Sequence, residues 1–156
     1  MLNQIRSLAK KNLAIRKFIA YYLAPSGFFD GIITKMKIHP DFERRIKEVV
    51  ACPDNFKIPR VPNAGEIIKG KQLMHNGLKI NVGSYYGPEV AQQLKINKGV
   101  HEPQEELVFS EVLKHIKSNS TMIELGAFWS FYSMWFHSHV PNAKNFMVEP
   151  DPFNIS

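Results

Sequence analysis

The segment from Thr121 to Asp151 constrains the fold of this chain more than any other stretch of its sequence. It opens with a short apolar run at residues 122–125, which ends at Gly126 as a buried parallel strand does before a tight turn. Residues 131–140 then predict a helix, and residues 145–148 predict a second apolar strand. Strand, glycine turn, helix and strand in this order predict a βαβ unit of a doubly wound α/β sheet.

The turn that follows the second predicted strand carries acidic side chains. Glu149 and Asp151 alternate with prolines in the stiff sequence Glu-Pro-Asp-Pro. Open α/β sheets bind ligands in the crevice beyond the carboxyl ends of their strands, so Gly126 and Glu149 are expected to share one crevice. A carboxylate there can accept hydrogen bonds from ribose hydroxyls, and its separation from Gly126 is close to the roughly 20 residues expected of such an acid.

The residues of the glycine turn restrict the ligand. A dinucleotide fingerprint, G-x-G-x-x-G, needs its second glycine so that the pyrophosphate can approach the backbone. Here the second and third glycines are missing, and a bulky tryptophan lies in the turn, because Gly126 is followed by Ala127, Phe128, Trp129, Ser130 and Phe131. NAD or FAD therefore fits poorly, and a nicotinamide oxidoreductase is a disfavoured alternative. S-adenosylmethionine has no pyrophosphate, so a single glycine can be enough for its amino-acid tail.

Residues 99–151 resemble the FkbM family of S-adenosylmethionine-dependent methyltransferases. The glycine turn of that family, D-x-G-A-N-x-G-x-x-S, corresponds to residues 124–133, and its ribose-binding E-P-x-P corresponds to residues 149–152. Two positions depart from the pattern, since Phe128 replaces the usual Asn and Ser130 replaces the usual second Gly. The resemblance implies a Rossmann-like class I methyltransferase core, S-adenosylmethionine as cofactor, and methyl transfer to an oxygen of a small-molecule or carbohydrate acceptor such as a sugar or glycolipid.

The resemblance also implies which residues border the cofactor. On the first strand, the glycine turn and the second strand these are Glu124, Gly126, Ala127, Phe128 and Glu149. The helix that precedes the first strand borders the cofactor site in the family, so the residues at its start could contact the methionine end; these are His101, Glu102 and Gln104. No residue is identified as a catalytic base.

Structural alternatives stay open for these residues. Gly126 could form a tight turn without a ligand, and Glu149 could be a solvated turn acid. Glu124 lies inside an apolar strand, where an unpaired carboxylate costs several kcal/mol, so it is expected to meet either a backbone donor or the ammonium group of the cofactor. The aromatic side chains between Phe128 and Phe136 are expected to pack in the core rather than to stack on a cofactor.

The chain length limits how much of such an enzyme is present. At 156 residues the chain is long enough for one ordinary domain. The resembled methyltransferases have a seven-stranded sheet, whereas only the first βαβ unit is predicted here. A two-stranded parallel piece leaves its faces and an edge uncovered. We therefore expect the amino-terminal part of a longer enzyme, or a truncated reading frame, in which residues 99–156 begin the methyltransferase domain.

The amino-terminal region, residues 1–60, is predicted as a basic helical extension. It holds twelve Lys or Arg residues against five Asp or Glu, while residues 61–156 hold eight against nine. Residues 1–24 have apolar positions at helical spacing, and their longest apolar run is too short to cross a bilayer. This basic helix could contact an anionic membrane surface or pack on the domain, so a non-catalytic membrane-surface or interaction protein is the alternative reading. A cytoplasmic location, with or without peripheral membrane contact, is expected, and nucleic-acid binding is not.

Residues 61–98 are predicted as a small β unit. Asn76 and Gly77 predict a type I′ hairpin turn between strands at residues 72–75 and 78–82, and His75 beside the turn is expected to be solvated. Residues 66–69 could add another strand across Gly70. Helices are expected from Asp41, as a cap, to Cys52, after Gly87-Pro88, and from Pro103 onward, the last with a buried stripe of apolar residues: Val108, Phe109, Val112, Leu113 and Ile116.

Histidine and cysteine indicate neither a metal site nor a disulfide framework. His137 and His139 are two residues apart on a predicted helix, whereas two zinc ligands on one helix face need a spacing of four. Cys52 is the single cysteine, so an internal disulfide is excluded and a reducing compartment is indicated.

Overall fold

The computed structural model describes residues 12–18, 23, 26–28, 30–35 and 37–151, and the fold is mixed α and β. Three helices come first, α1 (Leu13–Phe18), α2 (Asp30–Lys35) and α3 (Pro40–Ala51), followed by a 3₁₀ helix at Pro53–Lys57. Most of the helix predicted for residues 1–24 lies outside the described residues. Among the helices that the structure describes, none has the length and apolar character needed to cross a membrane.

Helix α3 begins two residues earlier than a cap at Asp41 predicts, and it has a different cap. Pro40 occupies the first turn, and the Nδ1 atom of His39 accepts a hydrogen bond from the backbone N–H of Asp41 at 3.4 Å. The prediction that Asp41 caps the helix is therefore wrong. Asp41 and Glu43 lie instead in the first turn, where negative charge is favoured by the helix dipole.

The small β unit is a three-stranded antiparallel sheet with the order β1 (Ile67–Ile68), β2 (Lys71–Leu73) and β3 (Lys79–Asn81). The predicted third strand across Gly70 is confirmed. Its two-residue loop, Lys69 and Gly70, has positive φ at both positions, so the type I′ turn lies here.

The predicted hairpin around Asn76-Gly77 also forms, but with another turn. Only Gly77 has a positive φ, of 90°, and its N–H donates to the carbonyl of Met74 at 3.0 Å. The type I′ assignment is therefore wrong at this hairpin. A longer loop with glycine in the left-handed conformation replaces it, and Asn76 contributes its Oδ1 as acceptor for the N–H of Leu78.

Two helices connect this sheet to the last unit, α4 (Pro88–Ile96) and α5 (Pro103–Leu113), and both begin at the predicted prolines. The buried stripe predicted for α5 is partly wrong. Leu113 is buried, but Val108 is 62% exposed and Val112 is also exposed. The helix instead buries Glu106, a carboxylate, because two histidines meet it there.

The last unit has the predicted order, β4 (Thr121–Leu125), α6 (Phe131–His139) and β5 (Lys144–Val148), and its two strands pair in parallel. In the register, Ile123 is opposite Phe146 and Leu125 is opposite Val148. Helix α6 covers one face of the pair. The other face exposes apolar side chains, including Ile123 at 65% and Phe146 at 61%.

One core joins the two sheets. Its buried apolar residues come from the β2–β3 hairpin, α4, α5 and α6: Met74, Ile80, Val90, Leu94, Leu113, Phe131, Trp135, Phe136 and Val140. The prediction that the aromatic residues of the α6 region pack in the core is confirmed for Phe131, Trp135 and Phe136. Residues of the hairpin and of α6 therefore share this core.

Candidate ligand-binding site

A cleft of about 770 Å³ opens between α5, β4 and the turn after β4. Its remaining wall is the loop that carries Tyr85 and Tyr86. Seven of the eight residues predicted to border a cofactor line this cleft: His101, Glu102, Gln104, Glu124, Gly126, Ala127 and Phe128. Residues that lie far apart in the sequence therefore come together at the carboxyl end of β4.

The eighth predicted residue, Glu149, lies directly behind the turn. Its Oε2 atom accepts a hydrogen bond from the backbone N–H of Phe128 at 2.8 Å, and its Oε1 atom accepts from the N–H of Asp151 at 2.9 Å. Glu149 is thus placed at the carboxyl end of β5, next to the cleft wall.

Backbone hydrogen bonds tie the glycine turn to the end of β5. The N–H groups of Gly126 and Ala127 both donate to the carbonyl of Val148, at 2.8 and 3.1 Å. With the bond from Phe128 to Glu149, three successive amides are engaged within the protein. These three N–H groups therefore have protein acceptors before any ligand is present. The turn contributes to the site through the shape of its backbone and not through these three donors.

Gly126 has the open surroundings that a ligand-facing glycine needs. Its φ is 76°, a left-handed conformation that glycine adopts without steric cost. A Cβ atom built on this residue would meet no heavy atom within 4 Å, so the space beside it is empty. The absence of a side chain here keeps that part of the cleft open.

Two further residues of the turn are left-handed although they are not glycine. Phe128 has a φ of 39° and Ser130 a φ of 59°. These are the two positions where the chain departs from the pattern of the resembled family, which has Asn and Gly, both of which tolerate this conformation. The backbone of the turn therefore has the shape that Asn and Gly favour, at a conformational cost to Phe128 and Ser130.

Glu124 meets a backbone donor. Its Oε2 atom accepts a hydrogen bond from the N–H of Ser133 at 3.1 Å, in the first turn of α6. Backbone N–H groups of a first turn have no partner within the helix, and the positive end of the helix dipole favours a carboxylate there. Of the two alternatives left open by the sequence, the structural one is therefore present, while Glu124 also lines the cleft.

A buried network of charged residues lies behind the cleft, and no sequence pattern predicts it. Glu106 is fully buried; one oxygen is 3.0 Å from the Nε2 atom of His75, and the other contacts the Nδ1 atom of His101. The Nε2 atom of His101 is 3.2 Å from a carboxylate oxygen of Glu102. The expectation that His75 is solvated is wrong, because it is only 3% exposed.

The network holds a positive charge on His101. Burial alone would lower the pKa of His101, but hydrogen bonds to Glu102 and Glu106 outweigh it and raise the pKa to about 9. Burial alone would raise the pKa of Glu106, but bonds from His101 and His75 hold it at about 2. His101 is therefore a cation at neutral pH and is not available as a general base.

Aromatic rings form the upper wall of the cleft. Tyr85 stacks on Trp129 with ring centroids 4.4 Å apart, and the ring of Phe128 lies 5.0 Å from that of Tyr86. The rings of Trp129 and His101 are nearly perpendicular, with centroids 4.9 Å apart. Burial is the main cause that raises the pKa of Tyr85 to about 12, so its hydroxyl stays neutral. In the sequence, the feature that could have indicated this wall is the pair of consecutive tyrosines, Tyr85 and Tyr86, between Gly83 and Gly87.

The charged residues that line the cleft are mostly acidic. Among the lining residues that the structure describes, they are Glu102, Glu105 and Glu124, together with the cationic His101, and none is a lysine or arginine. The hydrogen bond from His101 lowers the pKa of Glu102, so this carboxylate is ionised at neutral pH. Among the residues that the structure describes, no cluster of three or more His, Cys, Asp or Glu has an arrangement that could hold a metal ion.

No protein-family model, curated protein or solved structure matches this chain.

Proposed function

We propose that this chain binds S-adenosylmethionine in the cleft beside Gly126 and belongs to a methyltransferase. The observation that supports this most directly is the convergence of three separate predictions on one place. The open side of Gly126, the carboxylate of Glu149 and the start of α5 all meet at the carboxyl ends of two parallel strands. Ligands of open α/β sheets bind at such ends.

The proposal includes a Rossmann-like core that begins with β4, α6 and β5. The parallel pairing of the two strands, with the helix on one face, is the first βαβ unit that such a core requires. In the FkbM family, which residues 99–151 resemble, the corresponding glycine turn and acid bind the cofactor. This resemblance supports the same role for the glycine turn and the acid after β5 here.

The charge of the cleft favours S-adenosylmethionine over a dinucleotide. The cofactor carries a sulfonium and an ammonium group, both cationic, and carboxylates and aromatic ring faces attract such groups. A pyrophosphate would instead face Glu102, Glu105 and Glu124, and the described residues of the lining include no lysine or arginine to balance them. The lining therefore disfavours NAD on electrostatic grounds, in agreement with the missing glycines.

The residues of the chain suit different parts of the cofactor. The carboxylate of Glu149, at the carboxyl end of β5, is the acceptor that suits the two ribose hydroxyls. Glu102 suits the ammonium group, and the amide of Gln104 can donate to the carboxylate of the methionine end. Glu106 contacts no ligand in this proposal, and it acts by keeping His101 and Glu102 in position.

The cofactor, when bound, would supply a methyl group to an acceptor hydroxyl: the oxygen would bond to the methyl carbon as the carbon–sulfur bond breaks, with the thioether as leaving group and loss of the hydroxyl proton. The contribution of this chain is to hold the cofactor beside an open space, since methyl transfer depends mainly on close and aligned reactants. The acceptor class, a hydroxyl of a sugar or glycolipid, is proposed from the family resemblance.

Calorimetric titration with S-adenosylmethionine, its demethylated product and NAD tests the proposal. We expect binding of the first two and none of NAD. The Glu149→Ala variant should weaken S-adenosylmethionine binding about tenfold or more, because two hydrogen bonds to a charged acceptor are lost. Glu43→Ala, an exposed carboxylate of α3, is the matched control and should bind as the parent does.

Two outcomes contradict the proposal. Equal affinity of the Glu149→Ala variant and the parent, with both folded by circular dichroism, would remove Glu149 from the site. Salt-sensitive binding to anionic vesicles together with no affinity for S-adenosylmethionine would favour the alternative, a non-catalytic membrane-surface protein.

A further inference from the structure

A second cavity, of about 480 Å³, uses a different side of α5 from the cleft. Ser110 of α5 lines this second cavity, whereas Val108 lines the cleft. None of the described residues that line the second cavity belongs to β4 or β5, so the cavity does not depend on what covers the edges of the parallel pair. Its volume lies within the roughly 300–1,000 Å³ that is typical of small-molecule sites.

The walls of the second cavity combine apolar side chains with cations. The apolar part comes from the segment after the 3₁₀ helix, from α5 and from α6: Ile58, Pro59, Val61, Leu107, Leu113 and Trp135. Positive charge comes from Lys57, Arg60 and Lys114. Among the described lining residues Glu111 is the one carboxylate, whereas the cleft has three carboxylates and no lysine or arginine. The second cavity is therefore suited to an anion and the cleft is not.

Arg60 is the cation of this cavity that has no carboxylate partner. The Nζ atom of Lys57 is 2.7 Å from a carboxylate oxygen of Asp54. The Nζ atom of Lys114 is likewise 2.6 Å from Glu111, so both lysine charges are compensated. Within the described part of the chain, no carboxylate oxygen lies within 4.0 Å of the Arg60 guanidinium. Burial lowers the pKa of Arg60, but a guanidinium stays charged in proteins.

The guanidinium of Arg60 is held in place with donors to spare. Nη1 donates to the carbonyls of Asn55 and Ile58, at 2.9 and 2.8 Å, and Nη2 donates to the Oδ1 atom of Asn55 at 2.6 Å. Asn55 is itself buried and bonded to Asn97, so the core fixes the position of Arg60. An arginine has five N–H donors, and among the described residues these bonds leave one on Nε and one on Nη2. These two nitrogens share one edge of the guanidinium, which matches the two oxygens of a carboxylate.

We propose that the second cavity binds a small organic acid, whose carboxylate pairs with this edge of Arg60 and whose apolar body lies against Leu113 and Trp135. The cation is partly buried, and charge-assisted hydrogen bonds are strong in such surroundings. A neutral apolar ligand would remove water from the donors of Arg60 without replacing it. The amino-terminal residues 1–24 of the chain are a poor occupant, because they hold five Lys or Arg residues and no acid.

Calorimetric titration with cinnamate, an aromatic carboxylate, tests this site, and cinnamamide is its uncharged counterpart. We expect the parent chain to bind cinnamate at least about tenfold more tightly than cinnamamide, because only the carboxylate accepts from both donors of Arg60. Arg60→Lys keeps the charge but lacks the planar edge, so it should weaken cinnamate binding about tenfold. No measurable binding of cinnamate by the parent overturns the proposal. Equal affinity for the two compounds overturns it as well.

A pair of substitutions on α5 tests the location without changing Arg60. Ser110→Phe places a ring in the second cavity and should weaken cinnamate binding at least about tenfold. Val108→Phe adds the same ring on the cleft side of the helix, and it should bind cinnamate as the parent does. With both variants folded by circular dichroism, the reverse result or an equal effect of the two would contradict the proposed location. The titration needs no S-adenosylmethionine, so its failure and the failure of the proposed function are separate results.

Discussion

At the scale of single residues, the turn after β4 is unusual in having three left-handed residues, of which only Gly126 is a glycine. Ser130 is one of the others, with a φ of 59°, and its side chain makes no capping hydrogen bond to α6. An L-residue pays roughly 1–2 kcal/mol for this conformation, and serine gains nothing in return here. The turn thus stores conformational strain that a smaller residue would release.

The Ser130→Gly substitution should therefore stabilise the protein. We expect a gain of about 0.5–1 kcal/mol in the free energy of unfolding, after allowing for the greater flexibility of glycine in the unfolded chain. Urea denaturation measures it. Ser138→Gly, the same change within α6, is the control and should cost about 0.5–1 kcal/mol. A loss of stability in Ser130→Gly would show that the turn is not strained at this residue.

Glu106 is the residue whose removal should cost most. Glu106→Gln keeps the shape of the side chain but removes the charge that compensates His101 and accepts from His75. Breaking a buried ion pair on one side costs about 3–5 kcal/mol, and we expect a loss of that size at neutral pH in the same assay.

Glu105→Gln is a close control for this prediction. Glu105 lies on the same turn of α5 but is exposed, and its contact with the hydroxyl of Tyr132 is long, at 3.4 Å. The change should cost less than about 1 kcal/mol. Similar losses for both variants would mean that the buried network does not hold the fold together.

At the scale of elements, the two loops of the small β unit show how the residues of a turn determine which turn type connects two strands. Lys69 and Gly70 form the two-residue turn with positive φ at both positions, and Asn is preferred over Lys at the first of these. Lys69→Asn should therefore raise stability by about 0.5 kcal/mol, which a thermal scan resolves as a small increase in Tm.

The reverse substitution in the other loop is the matched comparison. Asn76→Lys removes the Oδ1 acceptor of the Leu78 N–H, so it should lower Tm. An increase in Tm for Asn76→Lys, or a decrease for Lys69→Asn, would contradict the assignment of the two turn types.

Elements with strong local signals could be predicted from the sequence. Gly126 marks the end of β4 and Pro141 the end of α6, and the starts of α4 and α5 at Pro88 and Pro103 follow from the same chemistry. Asn76-Gly77 correctly indicated a hairpin but not its turn type, because its loop is longer than two residues. The burial of α5 was mistaken because apolar periodicity cannot show that Val108 and Val112 face a cleft rather than a neighbouring element.

The candidate site was predictable only where its residues are close in sequence or belong to a known pattern. Gly126, Ala127 and Phe128 are local, and the parallel pairing brings Glu149 to them. The pairing of His75 with Glu106 joins two elements that are distant in sequence, and no local sequence pattern predicts it. A single histidine beside a turn is predicted to be solvated, because its burial depends on tertiary contacts that the local sequence does not show.

At the scale of the whole molecule, the buried network joins the parts of the fold that the site depends on. His75 belongs to the hairpin loop, Glu106 to α5 and His101 to the loop between α4 and α5. The same Glu106 carboxylate accepts the backbone N–H groups of His101 and Glu102. Stability, the position of the cleft wall and the charge of His101 are therefore linked through one carboxylate.

This linkage predicts how stability depends on pH. His101 has a pKa raised from 6.5 to about 9, so its contribution to stability is fully present below about pH 6.5 and is lost as the pH rises through about 9. Glu106 has a pKa lowered from 4.5 to about 2, so its contribution is present above about pH 4.5 and is lost as the pH falls through about 2. Stability should therefore be highest between about pH 4.5 and 6.5.

Denaturation measured at several pH values checks this dependence, and the Glu106→Gln variant isolates its source. In the parent chain we expect the free energy of unfolding to fall by about 1 kcal/mol per pH unit between pH 6.5 and 9, because the unfolded chain releases the proton that folded His101 retains. In Glu106→Gln the fall should be much smaller, since one of the two carboxylates that raise the pKa of His101 is neutralised. A parent chain with equal stability at pH 6 and pH 9 would mean that His101 is uncharged in the fold, and the cationic residue at the rear of the cleft would then be absent.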